Sequence, residues 1–148
     1  MDINGKVAVV TGGASCLGEG TVRAYVAKGG KVAIFDMNAD RGNAIVAELG
    51  ADKVSFHNVN VADEDSVSTA IAEVMAKFGA IHICNNYAGI GSAAKTLSKN
   101  GAFPLDAYKA VINVNLIGTF NVARLVAEQM AKNEPYDGAN ARGVIINT

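Results

Sequence analysis

Thr11, Gly12, Ser15, Cys16, Leu17 and Gly18 stand in a stretch of small residues directly after the apolar run Val7-Ala-Val-Val. A second apolar run, Lys31-Val-Ala-Ile-Phe-Asp36, ends in a carboxylate. Small residues at a strand-to-helix turn let backbone N–H groups reach an anion that a longer side chain would hold off. The helix opening there adds a favourable dipole. An acid at the end of the next strand suits the hydroxyls of a ribose. Strand, tight turn, helix, strand and acid together form the arrangement that holds a dinucleotide. The Asp36 carboxylate accepts from ribose hydroxyls and repels a 2′-phosphate, which favours NAD over NADP as cofactor, and no arginine follows until Arg41.

These residues need a scaffold that places two strand ends side by side, and the rest of the chain supplies one. Strands are predicted over Lys6–Thr11, Lys31–Asp36, Lys53–Val59, Ile81–Asn86 and Gly143–Thr148. Helices are predicted over Cys16–Lys28, Asp40–Leu49 and, capped by Asp63 and stopped by Gly79, over the segment carrying Val67, Ile71, Val74 and Phe78. A polar loop follows from Gly89 to Phe103, then one long helix over Leu105–Lys132 opened by Pro104, and a polar connector over Asn133–Ala141. The strands are continuous Val/Ile/Ala runs, as expected of a parallel sheet buried on both faces. Right-handed crossovers give a doubly wound α/β (Rossmann) fold with five strands in one domain, 1–148.

The composition narrows the function. Half of the 148 residues are hydrophobic and 18% are charged, which argues against disorder. A net charge of −1 with no basic stripe argues against nucleic acid or an anionic membrane as partner. The lack of Trp also disfavours base stacking. Cys16 and Cys84 lie outside any metal-type spacing, so no metal site is expected. They read as small buried thiols of a reducing compartment, with a sharper alternative for Cys16, whose thiolate would be stabilised at a helix N-terminus. No signal peptide and no apolar run long enough to span a bilayer are seen, so a cytoplasmic protein is expected.

The turn Thr11-Gly12-x-x-x-Cys16-x-Gly18 resembles the T-G-x-x-x-G-x-G turn of the short-chain dehydrogenase/reductase family, with cysteine where the family has its middle glycine. A Cβ there disfavours the positive φ that glycine adopts freely. Asn60-Val61 takes the place of the family's Asp-Val pair, which the resemblance assigns to the adenine amino group; an asparagine oxygen can still accept. Asn86-Tyr87-Ala88-Gly89 resembles the N-N-A-G motif that closes the fourth strand over the cofactor, with Tyr87 bulky for its slot and Asn85 polar for a buried strand. Asn115 matches the helix asparagine of the family's proton relay, where a local bend exposes a carbonyl that holds a water. Read from its residue type alone, it is a helix-interior Asn that bends the backbone.

Ala94-Lys-Thr96, the run Asn115–Ala127, Asn133-Glu-Pro-Tyr-Asp-Gly and Arg142-Gly-Val-Ile-Ile-Asn-Thr148 resemble the type 2 3-hydroxyacyl-CoA dehydrogenase branch of that family. The resemblance implies an NAD-dependent oxidoreductase acting on a secondary alcohol, with an acyl-CoA as small-molecule substrate and a homotetramer paired through the helix of Asn115. Alternatives are a steroid, sugar or acyl-carrier-protein substrate, or a non-catalytic NAD-binding or scaffold module. The family's proton-transferring tyrosine precedes a lysine by four residues. Here Gly29, Gly91, Ile112 and Asn140 follow Tyr25, Tyr87, Tyr108 and Tyr136 at that distance. The family's serine and Tyr-x-x-x-Lys would fall after Thr148, so the C-terminal part of the fold is expected to be missing. This stretch alone is expected not to turn over substrate, and to expose a sheet edge and an apolar face that favour aggregation.

Overall fold

Branched apolar residues in unbroken runs form strands that bury both faces, and glycines stop the helices between them. The computed structural model describes residues 2–136 and 140–148. β1 (Val7–Thr11), α1 (Cys16–Ala27), β2 (Lys31–Asp36), α2 (Ala39–Leu49), β3 (Val54–Asn58), α3 (Glu64–Phe78) and β4 (Ile83–Asn86) alternate in chain order. There follow β5 (Leu97–Ser98), β6 (Gly101–Ala102), α4 (Leu105–Ile112), a π-helical turn (Asn113–Gly118), α5 (Thr119–Met130) and β7 (Val144–Asn147). The main sheet is parallel, in the order β3-β2-β1-β4-β7, the doubly wound α/β arrangement expected.

Side chains of β1 alternate between two cores. Val7 and Val9 join Ala33 and Phe35 beneath α3 and α5, against Val67, Ile71, Val74, Val122 and Val126. Ala8 and Val10 join Val32 and Ile34 beneath α1 and α2, against Val22 and Ile45. The caps follow residue chemistry. Asp63 accepts from the Ser66 N–H at 2.9 Å, and Gly79 closes α3 at φ 80°.

The structure departs from the expected elements in several places. The Gly89–Phe103 loop contains a short antiparallel ladder, β5 with β6. The single long helix is interrupted by the π-helical turn, which contains Asn115 and widens the hydrogen-bond ladder without ending it. Among the described residues, one helix, Leu105–Met130, is by length and composition long and apolar enough to cross a membrane. That corrects the expectation of no such segment. Polar interruptions at Asn113, Asn115 and Asn121 hide this length from a search for an unbroken apolar run. One side of the helix nonetheless packs into the core through Val122, Val126 and Met130.

Cys84 is buried as expected, its thiol pushed up to about 12 by desolvation, whereas Cys16 is exposed. Thiol burial needs packing on all sides, and the first turn of α1 has a cavity on one side. Among the described residues, β7 pairs with β4 on one edge only, and Val144 and Ile146 are exposed. Of the Asn133–Ala141 connector and the Asn133-Glu-Pro-Tyr-Asp-Gly motif, residues 137–139 lie outside the described residues.

Candidate functional site

β1 and β4 are neighbours although their helices lie on opposite faces, so the chain parts between them and leaves a crevice at the C-terminal strand ends. A cavity of about 460 Å³ occupies this place. Gly12, Ser15, Cys16, Leu17 and Gly18 line one wall, Asp36, Asn60 and Val61 the next, and Tyr87, Ala88 and Gly89 a third. Every cofactor-binding residue expected from the sequence therefore borders the cavity except Asn86. The Asn86 side chain is buried in the sheet, where its Nδ2 donates to Asn147 Oδ1 at 2.9 Å and so ties β4 to β7.

The glycine-rich turn is shaped by close backbone packing. Gly12 has φ 64°, and a Cβ on it would lie 3.0 Å from the Ala88 nitrogen. A Cβ on Gly18 would lie 2.0 Å from the Gly12 oxygen, so Gly18 serves helix-to-turn packing as much as ligand approach. Cys16 occupies the left-handed region, with φ 45°. The glycine-like backbone is thus kept at this position despite the Cβ, at a cost of about 1–2 kcal/mol. Ser15 precedes α1 and makes no side-chain cap, so the N–H groups of the first turn have no side-chain acceptor there.

Asp36 is held from two sides. Its Oδ2 accepts from the Ala14 N–H at 3.0 Å and its Oδ1 from the Asn38 N–H at 2.9 Å. Each oxygen keeps a lone pair for a ribose hydroxyl. Asn60 Oδ1 accepts from the Ala62 N–H at 3.1 Å, forming a tight local turn beside Val61. An uncapped helix N-terminus, a backbone cradle closed to side chains and an anchored carboxylate fit a dinucleotide: pyrophosphate over the turn, ribose at Asp36.

Asn85 in β4 and Tyr87 just after it explain each other. Tyr25 Oη donates to Asn85 Oδ1 at 2.9 Å, and Asn85 Nδ2 donates to Tyr87 Oη at 3.1 Å. Thr21 Oγ1 also reaches the Tyr87 oxygen at 3.4 Å. This polar chain satisfies the buried amide and fastens α1 to β4. Burial pushes the Tyr25 hydroxyl above its ordinary range, so it remains a donor.

Asn115 clasps the backbone of Ile90. Its Oδ1 accepts from the Ile90 N–H at 2.9 Å and its Nδ2 donates to the Ile90 oxygen at 3.0 Å. Its own carbonyl accepts from Thr119 Oγ1 at 2.7 Å, joining the π-helical turn to the start of α5. Asn115 thus fixes the loop that leaves Gly89, beside the cavity wall formed by Ile90 and Val114.

Sequence reasoning missed Ala14 and Ile90, which act through backbone atoms and leave no side-chain signal. It also missed Met37, which lines the cavity beyond Asp36. Position alone, one residue past the strand-end acid, marks Met37.

A family profile described as short chain dehydrogenase matches residues 6–148. The chain is 44% identical to 3-hydroxyacyl-CoA dehydrogenase type-2 of Homo sapiens, an alignment covering 99% of this chain and 56% of that protein. It is 43% identical to the protein of the same name from Drosophila melanogaster, with 57% of that protein covered. The crystal structure of 3-hydroxyacyl-CoA dehydrogenase type-2 from Mycobacterium avium superposes with a TM-score of 0.87 at 37% identity, over 97% of this chain and 55% of that one. The chain thus spans little more than half the length of these relatives. A profile matched from β1 to β7, together with the shared fold, leads to one assignment: the chain belongs to the short-chain dehydrogenase family.

Proposed function

We propose that this chain forms the cofactor-binding part of an oxidoreductase that passes a hydride between a secondary alcohol and NAD. The observation that carries this reading is Asp36, anchored by the Ala14 and Asn38 N–H groups at the edge of the cavity. A carboxylate so fixed receives the ribose hydroxyls and repels a 2′-phosphate. When bound, the nicotinamide supplies the hydride acceptor. The first turn of α1 holds the pyrophosphate, and Asn60 and Val61 border the adenine.

Asn115 keeps the chain after β4 in place through Ile90 and, in this reading, supports the proton relay. A 3-hydroxyacyl-CoA is the substrate class carried over from the names of the relatives. None of Tyr25, Tyr87, Tyr108 and Tyr136 has a lysine four residues on, so the 148 residues alone are assigned no turnover. The exposed side chains of Leu116, Ile117 and Phe120 support self-association through this helix.

Calorimetric titration of the whole protein tests the cofactor assignment, with NADH expected to bind more tightly than NADPH; equal affinities would remove Asp36 from its role. Asn115→Leu is expected to lower turnover of the whole protein, and unchanged turnover would end the relay assignment.

A further inference from the structure

Arg41 is the first cation after Asp36 and stands in the first turn of α2. A hydrogen-bond chain joins the two residues. The Asn38 N–H donates to Asp36 Oδ1, and the Arg41 N–H donates to Asn38 Oδ1 at 3.0 Å. A guanidinium beside the ribose position is the group that a 2′-phosphate would recruit. Here it is engaged elsewhere. Arg41 Nη2 donates to both Glu19 oxygens, at 2.6 and 2.7 Å, and Nε donates to Oε2 at 3.2 Å.

Glu19 lies in the first turn of α1, whose Cys16, Leu17 and Gly18 line the cavity. It also accepts from Arg23 Nε at 2.9 Å, and Arg23 is itself forked onto Glu48 at 2.6 and 2.7 Å. Two guanidiniums and two carboxylates therefore balance. The Glu19 side chain is 16% exposed and that of Arg41 48%, so the acid is the shielded member and the arginine the one with room to turn. Arg41 first and Arg23 second hold the Glu19 carboxyl below its ordinary range, which keeps it an acceptor at neutral pH.

The geometry points to Glu19 as a positioning residue for cofactor selectivity: by engaging Arg41 it denies a phosphate-binding cation to the 2′ side of the ribose site. This inference rests on the NAD reading above and adds a second layer to it. Asp36 repels the extra phosphate, and Glu19 withholds the group that would otherwise receive it. Removing Glu19 leaves one arginine charge uncompensated on the first turn of α2, which follows Asp36.

The test compares NADH and NADPH by fluorescence titration of the whole protein carrying Glu19→Gln, which keeps the shape of the side chain and removes its charge. The NADH-to-NADPH affinity ratio is expected to fall about tenfold, the value of one charge-assisted hydrogen bond. Asp36 remains, so the preference narrows without reversing. Glu19→Ala, compatible with a helix, is expected to give the same shift and serves if the glutamine variant folds poorly. Adding Arg41→Gln to either variant should restore the original ratio, and Glu19→Asp should retain it.

A purely structural role would weaken both dinucleotides together. An unchanged ratio in the Gln and Ala variants, or a changed ratio that survives Arg41→Gln, overturns the inference. If the unsubstituted protein binds neither dinucleotide, or both alike, the NAD reading fails before any variant is measured and this inference falls with it.

Discussion

Thr11 Oγ1 accepts the Ala88 N–H at 3.0 Å, and the same oxygen accepts the Tyr87 N–H at 3.1 Å. The last residue of β1 thereby fixes the path by which the chain leaves β4, at the crevice where the cavity opens. Thr11 is buried, so no water replaces it readily. Thr11→Val keeps the shape and removes the acceptor from two N–H groups. Stability is expected to fall by about 1–3 kcal/mol, read from denaturant midpoints, with weaker NADH binding in the same variant. An unchanged midpoint would mean that those N–H groups find other partners.

Asp36→Ala removes the acid and releases the Ala14 and Asn38 N–H groups. NADH affinity is expected to fall about tenfold while NADPH affinity holds or rises. Isothermal titration with both dinucleotides separates this from a general loss of binding, in which the two would fall in parallel.

Cys16→Gly relieves the Cβ at φ 45°. A gain of about 1 kcal/mol is expected, visible as a higher melting temperature, with NADH binding retained or tighter. A lower melting temperature would show that the thiol packs more favourably than the backbone is strained.

His82 on one side, and the carboxylates Glu19 and Glu48 on the other, give the stability a pH dependence with opposite chemistry and the same direction. Burial, and then the Lys6 charge, lower the His82 imidazole from its ordinary 6.5, while its Nδ1 accepts the Val7 N–H at 3.2 Å. As pH falls below 6.5 the unfolded chain takes up this proton before the folded one does. Stability is therefore lost between that pH and the lower folded value. Glu19 is also lowered, by Arg41 and Arg23, so its contribution is present above 4.5 and lost as pH falls through its folded value. Denaturation midpoints should therefore drop in two stages on acidification. His82→Asn should flatten the first and Glu19→Gln reduce the second, which Glu48, lowered by Arg23, shares; unaltered profiles would reassign both.

Leu116, Ile117 and Phe120 form an exposed apolar patch around the π-helical turn. Phe120→Glu is expected to lower the mass of the whole protein in sedimentation by at least half if copies associate through this helix. A constant mass would move the contact to another surface.

The sheet was legible because its signal is carried by unbroken apolar runs and glycine stops. β1 and β2 could be bounded within one residue from Val7–Thr11 and Lys31–Asp36. The glycine turn and Asp36 were equally legible, since their chemistry depends on residue type at a strand end. Asn85 and Tyr87 were not, because their partners Tyr25 and Thr21 lie on α1, some sixty residues away in the chain. Asn86, expected at the cofactor through its motif, has its side-chain Nδ2 engaged by Asn147, a pairing between strands that local sequence does not express. The apolar length of the final helix was masked by asparagines that turn out to bond with Ile90 and Val61.

The π-helical turn over Asn113–Gly118 also constrains how this gene can vary. A π-type bond closes one residue later than an α-type bond, and each residue advances a helix by about 100°. The phase of everything downstream therefore depends on how many residues the turn contains. Deleting one would swing Val122, Val126 and Met130 out of the core, or else swing Asn115 off Ile90. Substitutions in this segment are expected to be far milder than a single-codon deletion, because here the count of residues carries more of the structural information than their identities do.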